Sequence, residues 1–325
     1  MMSQPANSIA FHDLQPEVDN FLEDTLQGLS RPQKEIPAKY FYDQRGSELF
    51  DQICDLAEYY PTRTEIGLLH EHAAEMAALI GKHCILVEYG SGNSRKIPIL
   101  LQCLQEPIAY MPIDICKEYL LYSSTQIAQY HPGLQVIAVC ADYMKPFQLP
   151  ACDPHKNTKK AIFFPGSTIG NCLPSEAIRL LKNAAKLVGE GGAMLVGVDL
   201  KKHIDILHAA YNDNSGITAQ FNLNILARVN RELDADFDLE TFSHQAFYNE
   251  QRGRIEMHLI SEREQSATVG GMGFNFSKGE TIHTENSYKY TVTEFQSMAS
   301  VAGFDPRQVW IDGQRLFSLH YLRVH

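Results

Sequence analysis

A short glycine turn is the stretch of this sequence best suited to hold a ligand. Ile85-Leu-Val87 has the apolar character of a buried strand, and Gly90-Ser-Gly92 then turns the chain ahead of a predicted helix. Such a turn leaves backbone N–H groups facing outward, where they can bind a polar group. A dinucleotide fingerprint would have a third glycine at position 95, but the residue there is Arg95, which disfavours a nicotinamide cofactor.

Two carboxylates accompany this turn. Glu88 lies two residues before the first glycine, and Asp114 ends the next apolar run, Tyr110-Met-Pro-Ile-Asp114. If the two runs are neighbouring parallel strands, both carboxylates lie at the same edge of the sheet. Together they suit a ligand with a cationic amino acid part and a ribose diol, as in S-adenosylmethionine. On these residues alone, a structural turn or an unrelated ligand is the alternative.

Two further loops carry polar side chains after apolar runs. Asp142 follows the apolar run 136–140 and can accept a hydrogen bond from an adenine amino group, with Tyr143 stacked beside the ring. The alternative is an ordinary turn aspartate. Residues 166–171 place glycines and small hydroxyls ahead of another predicted helix, and Asn171 can both donate and accept, which suits an α-amino or carboxylate group.

The elements that position these residues alternate between strand and helix. The apolar patterns predict helix 63–80, strand 85–89, helix 94–105, strand 110–114, helix 117–129, strand 135–140, strand 160–164, helix 174–188 and strand 192–199. Thr62 and Glu65 have capping-box spacing at the start of the first helix. The alternation predicts an α/β fold, a Rossmann-like parallel sheet with helices on both faces, in which ligands bind beyond the carboxyl ends of the strands.

The pattern changes after Asp199. Residues 201–284 are too long for a single crossover connection, so we expect an insertion that joins the N-terminal segment in a smaller α+β domain. A helix at 293–302 and antiparallel strands at 308–312 and 316–324 then close the chain. The predicted division is 62–200 with 286–325 for the cofactor-binding sheet, and 1–61 with 201–285 for a substrate-binding domain.

Composition narrows the class of protein. The chain has 325 residues, 44% of them hydrophobic, and a formal net charge of −11, which argues against a nucleic-acid or anionic-membrane surface. Its seven cysteines are scattered and never in C-x-x-C spacing, so neither a disulfide framework nor a metal site is indicated. No targeting segment or membrane-length apolar run is recognisable. We therefore expect a cytoplasmic protein that acts on a small molecule. We also expect a monomer, although composition does not determine this.

Five blocks of residues occur in order along the chain. They are Phe41-Tyr-Asp-Gln-Arg-Gly-Ser-Glu-Leu-Phe-Asp-Gln-Ile53, Glu58-Tyr-Tyr-Pro-Thr-Arg63, Gly90-Ser-Gly92, Pro165-Gly-Ser-Thr-Ile-Gly-Asn171 and Thr284-Glu-Asn-Ser-Tyr-Lys-Tyr290. On these blocks the chain resembles the histidine Nα-methyltransferases of the ergothioneine pathway over nearly its whole length. The resemblance implies a class I methyltransferase sheet, S-adenosylmethionine as the cofactor, and trimethylation of the α-amine of L-histidine to hercynine.

The resemblance also implies roles for individual residues. It places cofactor contacts, in addition to Glu88 and Gly92 of the turn itself, at Tyr59, Gly90, Lys96, Asp114, Asp142 and Tyr143. It implies a substrate pocket formed by Tyr42, Asn171, Tyr211, Glu285 and Ser287. Tyr42, or a water held by it, is the nearest candidate to assist removal of the amine proton. Two positions depart from the family's more usual residues: Tyr143 stands in place of phenylalanine, and Asn93-Ser-Arg95 in place of Thr-Ser-Glu.

Glu285 and Ser287 carry the prediction about substrate choice. In an extended segment, residues two apart face the same side, so both side chains can reach one small ring, and they match the family's imidazole-binding pair. The alternative is that Glu285 pairs with Lys289 on the surface. Two other functions stay open at this point: N-methylation of another amino acid such as a tryptophan derivative, and a non-catalytic protein that only binds a metabolite.

Overall fold

The computed structural model of the protein describes residues 9–15, 20–92, 95–152 and 158–325. Its strands are β1 (Ala10–Asp13), β2 (Lys34–Glu35), β3 (Ile85–Tyr89), β4 (Ala109–Asp114), β5 (Gln135–Cys140), β6 (Lys160–Phe164), β7 (Ala193–Asp199), β8 (Phe242–Asn249), β9 (Arg254–Ser261), β10 (Gln265–Val269), β11 (Met272–Phe276), β12 (Thr281–Tyr288), β13 (Phe304–Ile311) and β14 (Phe317–Val324). Its α-helices are α1 (Phe21–Leu29), α2 (Gln44–Asp55), α3 (Tyr60–Ile80), α4 (Ile97–Leu101), α5 (Lys117–Tyr130), α6 (Pro174–Val188), α7 (Ile204–Tyr211), α8 (Ile217–Glu232) and α9 (Val292–Val301).

An eight-stranded sheet forms the larger part of the fold. Its order is β1-β5-β4-β3-β6-β7-β14-β13, parallel from β1 to β7, with β14 antiparallel to both β7 and β13. The chain moves outward one way from β3 to β5 and the other way from β6 to β7. The switch point between β3 and β6 is where α/β sheets bind their ligands. The predicted α/β class and the closing antiparallel strands are therefore confirmed.

Helices cover both faces of this sheet. Helices α3, α4 and α5 contribute to one apolar core, which includes Leu69, Leu100 and Ile127. Helices α6 and α9 contribute to the core on the other face, which includes Leu181 and Phe295. Strands packed on both sides must be apolar throughout, which is why β3 and β7 are buried along their whole length. Among the described residues, no helix is both long and apolar enough to cross a bilayer.

A second core joins the N-terminal segment to the insertion. A four-stranded sheet has the order β2-β12-β9-β8, and apolar residues from α1, α2 and α8 pack with it. The N-terminal segment and the insertion therefore share one apolar core. Two details differ from the predicted boundaries. Strand β1 pairs in parallel with β5 of the large sheet, and β12 of the small sheet continues to Tyr288, beyond the predicted boundary at 285.

The start of α3 corrects one prediction. The helix begins at Tyr60 with Pro61 in its first turn, where proline is favoured because its fixed φ suits the helix and its missing N–H costs nothing. The residue before it, Tyr59, makes no side-chain cap. The capping-box prediction for Thr62 and Glu65 was therefore wrong, and the Glu65 side chain is buried instead. Helix α4 is also shorter than the predicted 94–105, of which residue 94 lies outside the described residues.

Candidate active site

A cavity lies between the two sheets, next to the switch point. Its wall contains all of the residues predicted for the substrate, namely Tyr42, Asn171, Tyr211, Glu285 and Ser287. Tyr59, which was predicted as a cofactor contact, lines the same cavity. These side chains come from segments far apart in the sequence, so their meeting in one cavity is a property of the fold.

A β-bulge in β12 decides which of its side chains face the cavity. Strand β12 pairs His283 with His258 of β9, and the next pair is Glu285 with Met257, so Thr284 is an extra residue. Ile282 before the bulge and Glu285 after it consequently lie on the same face, although they are three residues apart. Strict alternation from Ile282 would have directed Glu285 away from the cavity.

A close backbone approach brings β12 against the loop that carries Asn171. A Cβ atom added to Gly170 would lie 2.8 Å from the carbonyl oxygen of Tyr288, so only glycine fits there without displacement. Ser167, in the same loop, has a φ of +56°, which is a left-handed conformation that costs free energy for a residue with a side chain. Its Oγ accepts a hydrogen bond from the backbone N–H of Asp199 at 2.9 Å. The loop is thus held between β7 and β12.

A buried ion network forms one end of the cavity. The Nζ atom of Lys289 lies 2.7 Å from Asp199 Oδ2, 2.9 Å from Tyr211 Oη and 2.8 Å from Ser287 Oγ. The Tyr211 and Ser287 hydroxyl oxygens are themselves 2.8 Å apart. Lys289 is therefore neither on the surface nor hydrogen-bonded to Glu285, contrary to the alternative weighed from the sequence.

Two more hydrogen-bond donors contact the Asp199 carboxylate. Tyr60 Oη donates to this carboxylate at 2.7 Å, and the Lys202 ammonium forms a second ion pair with it. Burial by itself would raise the pKa of Asp199, but the two lysine charges outweigh that effect and lower it. Burial also lowers the pKa of Lys202 to about 8. Asp199 is thus an ionised carboxylate that holds two ammonium groups in place.

Glu285 differs from Asp199, the other acid of the cavity wall, in that fewer interactions offset its burial. Its side chain has no partner among the hydrogen bonds of the described residues, and burial raises its pKa to about 7, against the opposing charge of Lys289. Burial raises the pKa values of Tyr42 and Tyr59 well above 10, so both phenols are neutral. A carboxylate in such a place gains most from a ligand that donates a hydrogen bond to it.

Aromatic rings close the remaining wall. Tyr42 lies edge-on to Phe50 with ring centroids 5.7 Å apart and to Phe221 at 5.9 Å, and Phe50 lies 6.3 Å from Tyr59. Edge-on contacts of this kind are favourable between aromatic rings. The cavity therefore combines an apolar wall with a few polar groups, as small-molecule sites generally do.

The glycine turn has the backbone conformation that the sequence predicted. Gly90 has a φ of +68° and Gly92 a φ of +44°, both of which disfavour other residues. A Cβ on Gly90 would lie 3.9 Å from the Tyr143 ring, so this ring faces the turn across a narrow gap. Tyr143 stacks on Tyr89 with centroids 5.3 Å apart. Residues 93 and 94, part of the departure from the family pattern, lie outside the described residues.

The predicted acids of the cofactor site lie at the carboxyl ends of their strands. Asp114 Oδ1 accepts from the N–H of Cys116 at 2.9 Å, and burial raises the pKa of Asp114 although nearby backbone N–H groups oppose this. Glu88 is buried and accepts from Tyr110 Oη, and burial raises its pKa to about 8. Asp142 Oδ1 accepts from the N–H of Met144 at 2.8 Å, which is the contact of a turn aspartate.

Lys96, which follows the glycine turn, contacts the buried acid Glu65, and Glu65 in turn contacts the wall of the cavity. Sequence reasoning did not assign Glu65 to the site. The Lys96 contact is an ion pair. The Lys96 Nζ lies 2.6 Å from Glu65 Oε2, which also accepts from the N–H of Gly166 in the cavity wall at 2.9 Å. Asp199 and Lys289 were missed as well. The position of Asp199 at the end of β7 was a usable signal, whereas Glu65 resembled a helix cap and Lys289 a surface partner.

The small sheet brings three possible metal ligands together on the face away from the cavity. Atoms of Glu256, His258 and His283 lie within 4.8 Å of one another. The two imidazole rings are stacked at an interplanar angle of 14°, so their nitrogen lone pairs lie in separate, nearly parallel planes and do not converge. Arg254 already pairs with Glu256 at 2.7 Å. This geometry favours a hydrogen-bonded stack over a metal site.

The strand order, the glycine turn after β3 and the acids at the carboxyl ends of β3 and β4 define a class I methyltransferase that uses S-adenosylmethionine. The family model described as "Histidine-specific methyltransferase, SAM-dependent" matches residues 21–324, and the chain belongs to that family.

Three relatives illustrate the range of similar proteins. The chain is 38% identical over 301 residues to "Histidine N-alpha-methyltransferase" of Mycobacterium tuberculosis, covering 91% of this chain and 92% of that protein. It is 30% identical to "Ergothioneine biosynthesis protein 1" of Neurospora crassa, covering 99% of this chain and 37% of that protein. It is 26% identical to "L-tryptophan methyltransferase trpM" of Psilocybe serbica, covering 92% of each.

Asp114 provides a test of the cofactor assignment. If both its oxygens hold the ribose diol, Asp114→Asn loses one of two hydrogen bonds to a charged acceptor and should weaken S-adenosylmethionine binding by about tenfold or more. Calorimetry of cofactor binding measures this change. Histidine affinity, measured with cofactor saturating, should stay nearly the same. An unchanged cofactor affinity in the variant would contradict the assignment.

Proposed function

We propose that this protein transfers three methyl groups from S-adenosylmethionine to the α-amine of L-histidine and so produces hercynine for ergothioneine biosynthesis. The observation that carries the proposal is the cavity in whose wall Glu285, Ser287 and Asn171 meet. Glu285 and Ser287 provide a carboxylate and a hydroxyl for an imidazole ring. Family membership supports the same substrate class.

The residues present fit S-adenosylmethionine. Gly90 and Gly92 have no side chains that would block a ligand at the turn, and we propose that Asp114 holds the ribose diol and that Glu88 faces the cationic amino acid part, whose charge favours the ionised form of this acid. We propose that Tyr143 stacks beside the adenine and that Lys96, Tyr59 and Asp142 complete the cofactor contacts. The cofactor supplies a sulfonium methyl that is already activated for transfer.

The protein's contribution is then mainly to position the amine. Asn171 can both donate and accept hydrogen bonds, so it suits the α-amino or carboxylate group of the substrate. It lies in the loop whose Gly170 packs closely against β12. The aromatic wall shields the amine from bulk water, which favours a near-attack arrangement. A quaternary product has no N–H left, which accounts for a stop after the third methyl group.

Each transfer also requires loss of an amine proton. Tyr42 is the nearest candidate from the sequence, and its raised pKa means that it keeps its own proton at neutral pH. We therefore propose that Tyr42 acts through a water that it hydrogen-bonds, and that the water carries the proton away.

Incubation of the protein with S-adenosylmethionine and a panel of amino acids, followed by mass measurement, tests the proposed function. Histidine should give products heavier by one, two and three methyl groups, and the trimethylated product should accumulate. Methylation of tryptophan but not histidine would favour the substrate of the Psilocybe relative instead. Cofactor binding without any methylated amino acid would favour a non-catalytic binding protein.

A further inference from the structure

A lysine without solvent contact lies directly behind the two residues expected to contact the substrate ring. The Lys289 side chain is 0% exposed, and its three N–H donors have three acceptors: Asp199, Tyr211 and Ser287. An ammonium group has three donors and cannot accept. Both hydroxyl oxygens, those of Tyr211 and Ser287, must therefore accept a hydrogen bond from Lys289.

The hydrogen bond between the two hydroxyls can then have either of two donor–acceptor arrangements. Tyr211 Oη and Ser287 Oγ are 2.8 Å apart, so one of them donates to the other. If Tyr211 donates, the Ser287 oxygen accepts twice, and its own proton can only point into the cavity. If Ser287 donates, the Tyr211 proton is the one left over. A phenol is the stronger donor of the two, which favours the first arrangement.

We propose that Lys289 is a positioning residue that determines substrate choice: by donating to Tyr211 and Ser287 it leaves one hydroxyl donor facing the cavity beside the Glu285 acceptor. A neutral imidazole offers one N–H and one unprotonated nitrogen, which match an acceptor and a donor respectively. A ring with two N–H groups, or with none, leaves a buried polar group unpaired. The inference rests on the proposed function, since the ring in question is that of histidine.

Lys289 also acts on Glu285 through its charge. The ionisable side chains that face Glu285 from other elements are the phenols of Tyr42, Tyr59 and Tyr211, whose pKa values burial raises, so they carry no charge. His283 donates from Nε2 to the Glu285 carbonyl oxygen at 3.0 Å, on the backbone side. The Lys289 charge opposes the burial that raises the Glu285 pKa to about 7.

Removal of Lys289 should therefore raise the Glu285 pKa further. Because the carboxylate form accepts the ring N–H, activity is present above this pKa and is lost as the pH falls through it. The loss should begin at a higher pH in a variant that lacks the lysine.

The first experiment compares Lys289→Met with a matched control, Lys202→Met. Lys202 is the other ammonium bound to Asp199, but it contacts Tyr60 and not the hydroxyl pair. The quantity measured is the ratio of variant to wild-type kcat/KM for histidine at each pH, in which the titration of the substrate cancels. This ratio should fall at least about tenfold between roughly pH 9 and pH 7 for Lys289→Met, and stay within about threefold for Lys202→Met.

The second experiment is a double-mutant cycle with Ser287→Ala. This substitution should raise the Michaelis constant for histidine about tenfold or more in the wild-type and Lys202→Met backgrounds, but less than about threefold in Lys289→Met, where Ser287 is no longer held as a donor. Calorimetric affinity for S-adenosylhomocysteine checks that each variant is folded. If Lys289→Met does not fold, Lys289→Met combined with Asp199→Asn and Lys202→Met removes all three buried charges of this network and serves in its place.

The outcomes separate this inference from the proposed function. An equal Ser287→Ala effect in all backgrounds, or a flat pH ratio for Lys289→Met, would overturn the role of Lys289 while wild-type histidine methylation stands. Failure of the wild-type protein to methylate histidine would instead overturn the proposed function.

Discussion

Replacement of Glu285 by alanine is expected to raise the Michaelis constant for histidine by about two orders of magnitude or more, equivalent to ~2.7 kcal/mol. The carboxylate is buried and has no hydrogen-bond partner within the part of the chain that the structure describes, so a ring N–H that reaches it forms a charge-assisted hydrogen bond in a site of low polarity. Without the carboxylate, the substrate loses that bond and its N–H remains unpaired in the cavity. The enlarged cavity should also let bulkier aromatic amino acids such as tryptophan compete better.

Steady-state kinetics with histidine at saturating cofactor measures this effect. Asn286→Ala is a matched control, because Asn286 is the next residue of β12 and faces the opposite side, across from Glu256. It should change the Michaelis constant by less than about threefold. Near wild-type efficiency in Glu285→Ala would mean that the imidazole is recognised elsewhere, and the substrate assignment would lose its main residue-level support.

Replacement of Asp199 by alanine is expected to have the largest effect on stability. It would leave the ammonium groups of Lys289 and Lys202 buried without a counter-charge, and breaking a buried pair in this way costs about 3–5 kcal/mol. For a chain of this size, the melting temperature should fall by roughly 4–7 °C. Histidine methylation should fall as well, because the hydroxyl pair depends on the lysine that Asp199 holds in place.

Differential scanning calorimetry at neutral pH measures this change. Asp205→Ala is the control, since Asp205 is an acid in the nearby helix α7 whose side chain is 83% exposed. Its loss should leave the melting temperature within about 1 °C of the wild-type value. A similarly small change in Asp199→Ala would show that the two lysines do not depend on Asp199 for their charge balance.

The regular part of the fold could be predicted because its signal is local. Strands 85–89, 135–140 and 160–164 and helix 174–188 have the bounds predicted from the apolar runs and their flanking residues. Burial on both faces requires continuous apolar strands, and that requirement is visible in a few consecutive residues. The positive φ of the glycines at 90 and 92 follows in the same way, because a sharp turn after a strand favours glycine.

Many residues of the candidate site were also predicted, since the five blocks contain all of them except Tyr211, which the family resemblance implied. The cavity brings together Tyr42, Asn171, Tyr211, Glu285 and Ser287, although their individual roles stay proposals until they are tested. The spacing of two between Glu285 and Ser287 sufficed to place both on one side of a strand. It did not determine which side, because that depends on the bulge at Thr284.

The remaining features depend on contacts between distant parts of the chain. Tyr60 and Asp199 are hydrogen-bonded although they are 139 residues apart in the sequence, and Glu65 and Gly166 are hydrogen-bonded across 101 residues. No local sequence pattern predicts either contact. Spacing alone made Glu65 resemble a helix cap and Lys289 a surface partner of Glu285. The sequence by itself determined the sheet, the glycine turn and the residue types of the pocket. Only the tertiary structure decided that Asp199 and Lys289 are buried together behind it, because a buried charge is stable only where folding brings its partner within a few ångströms.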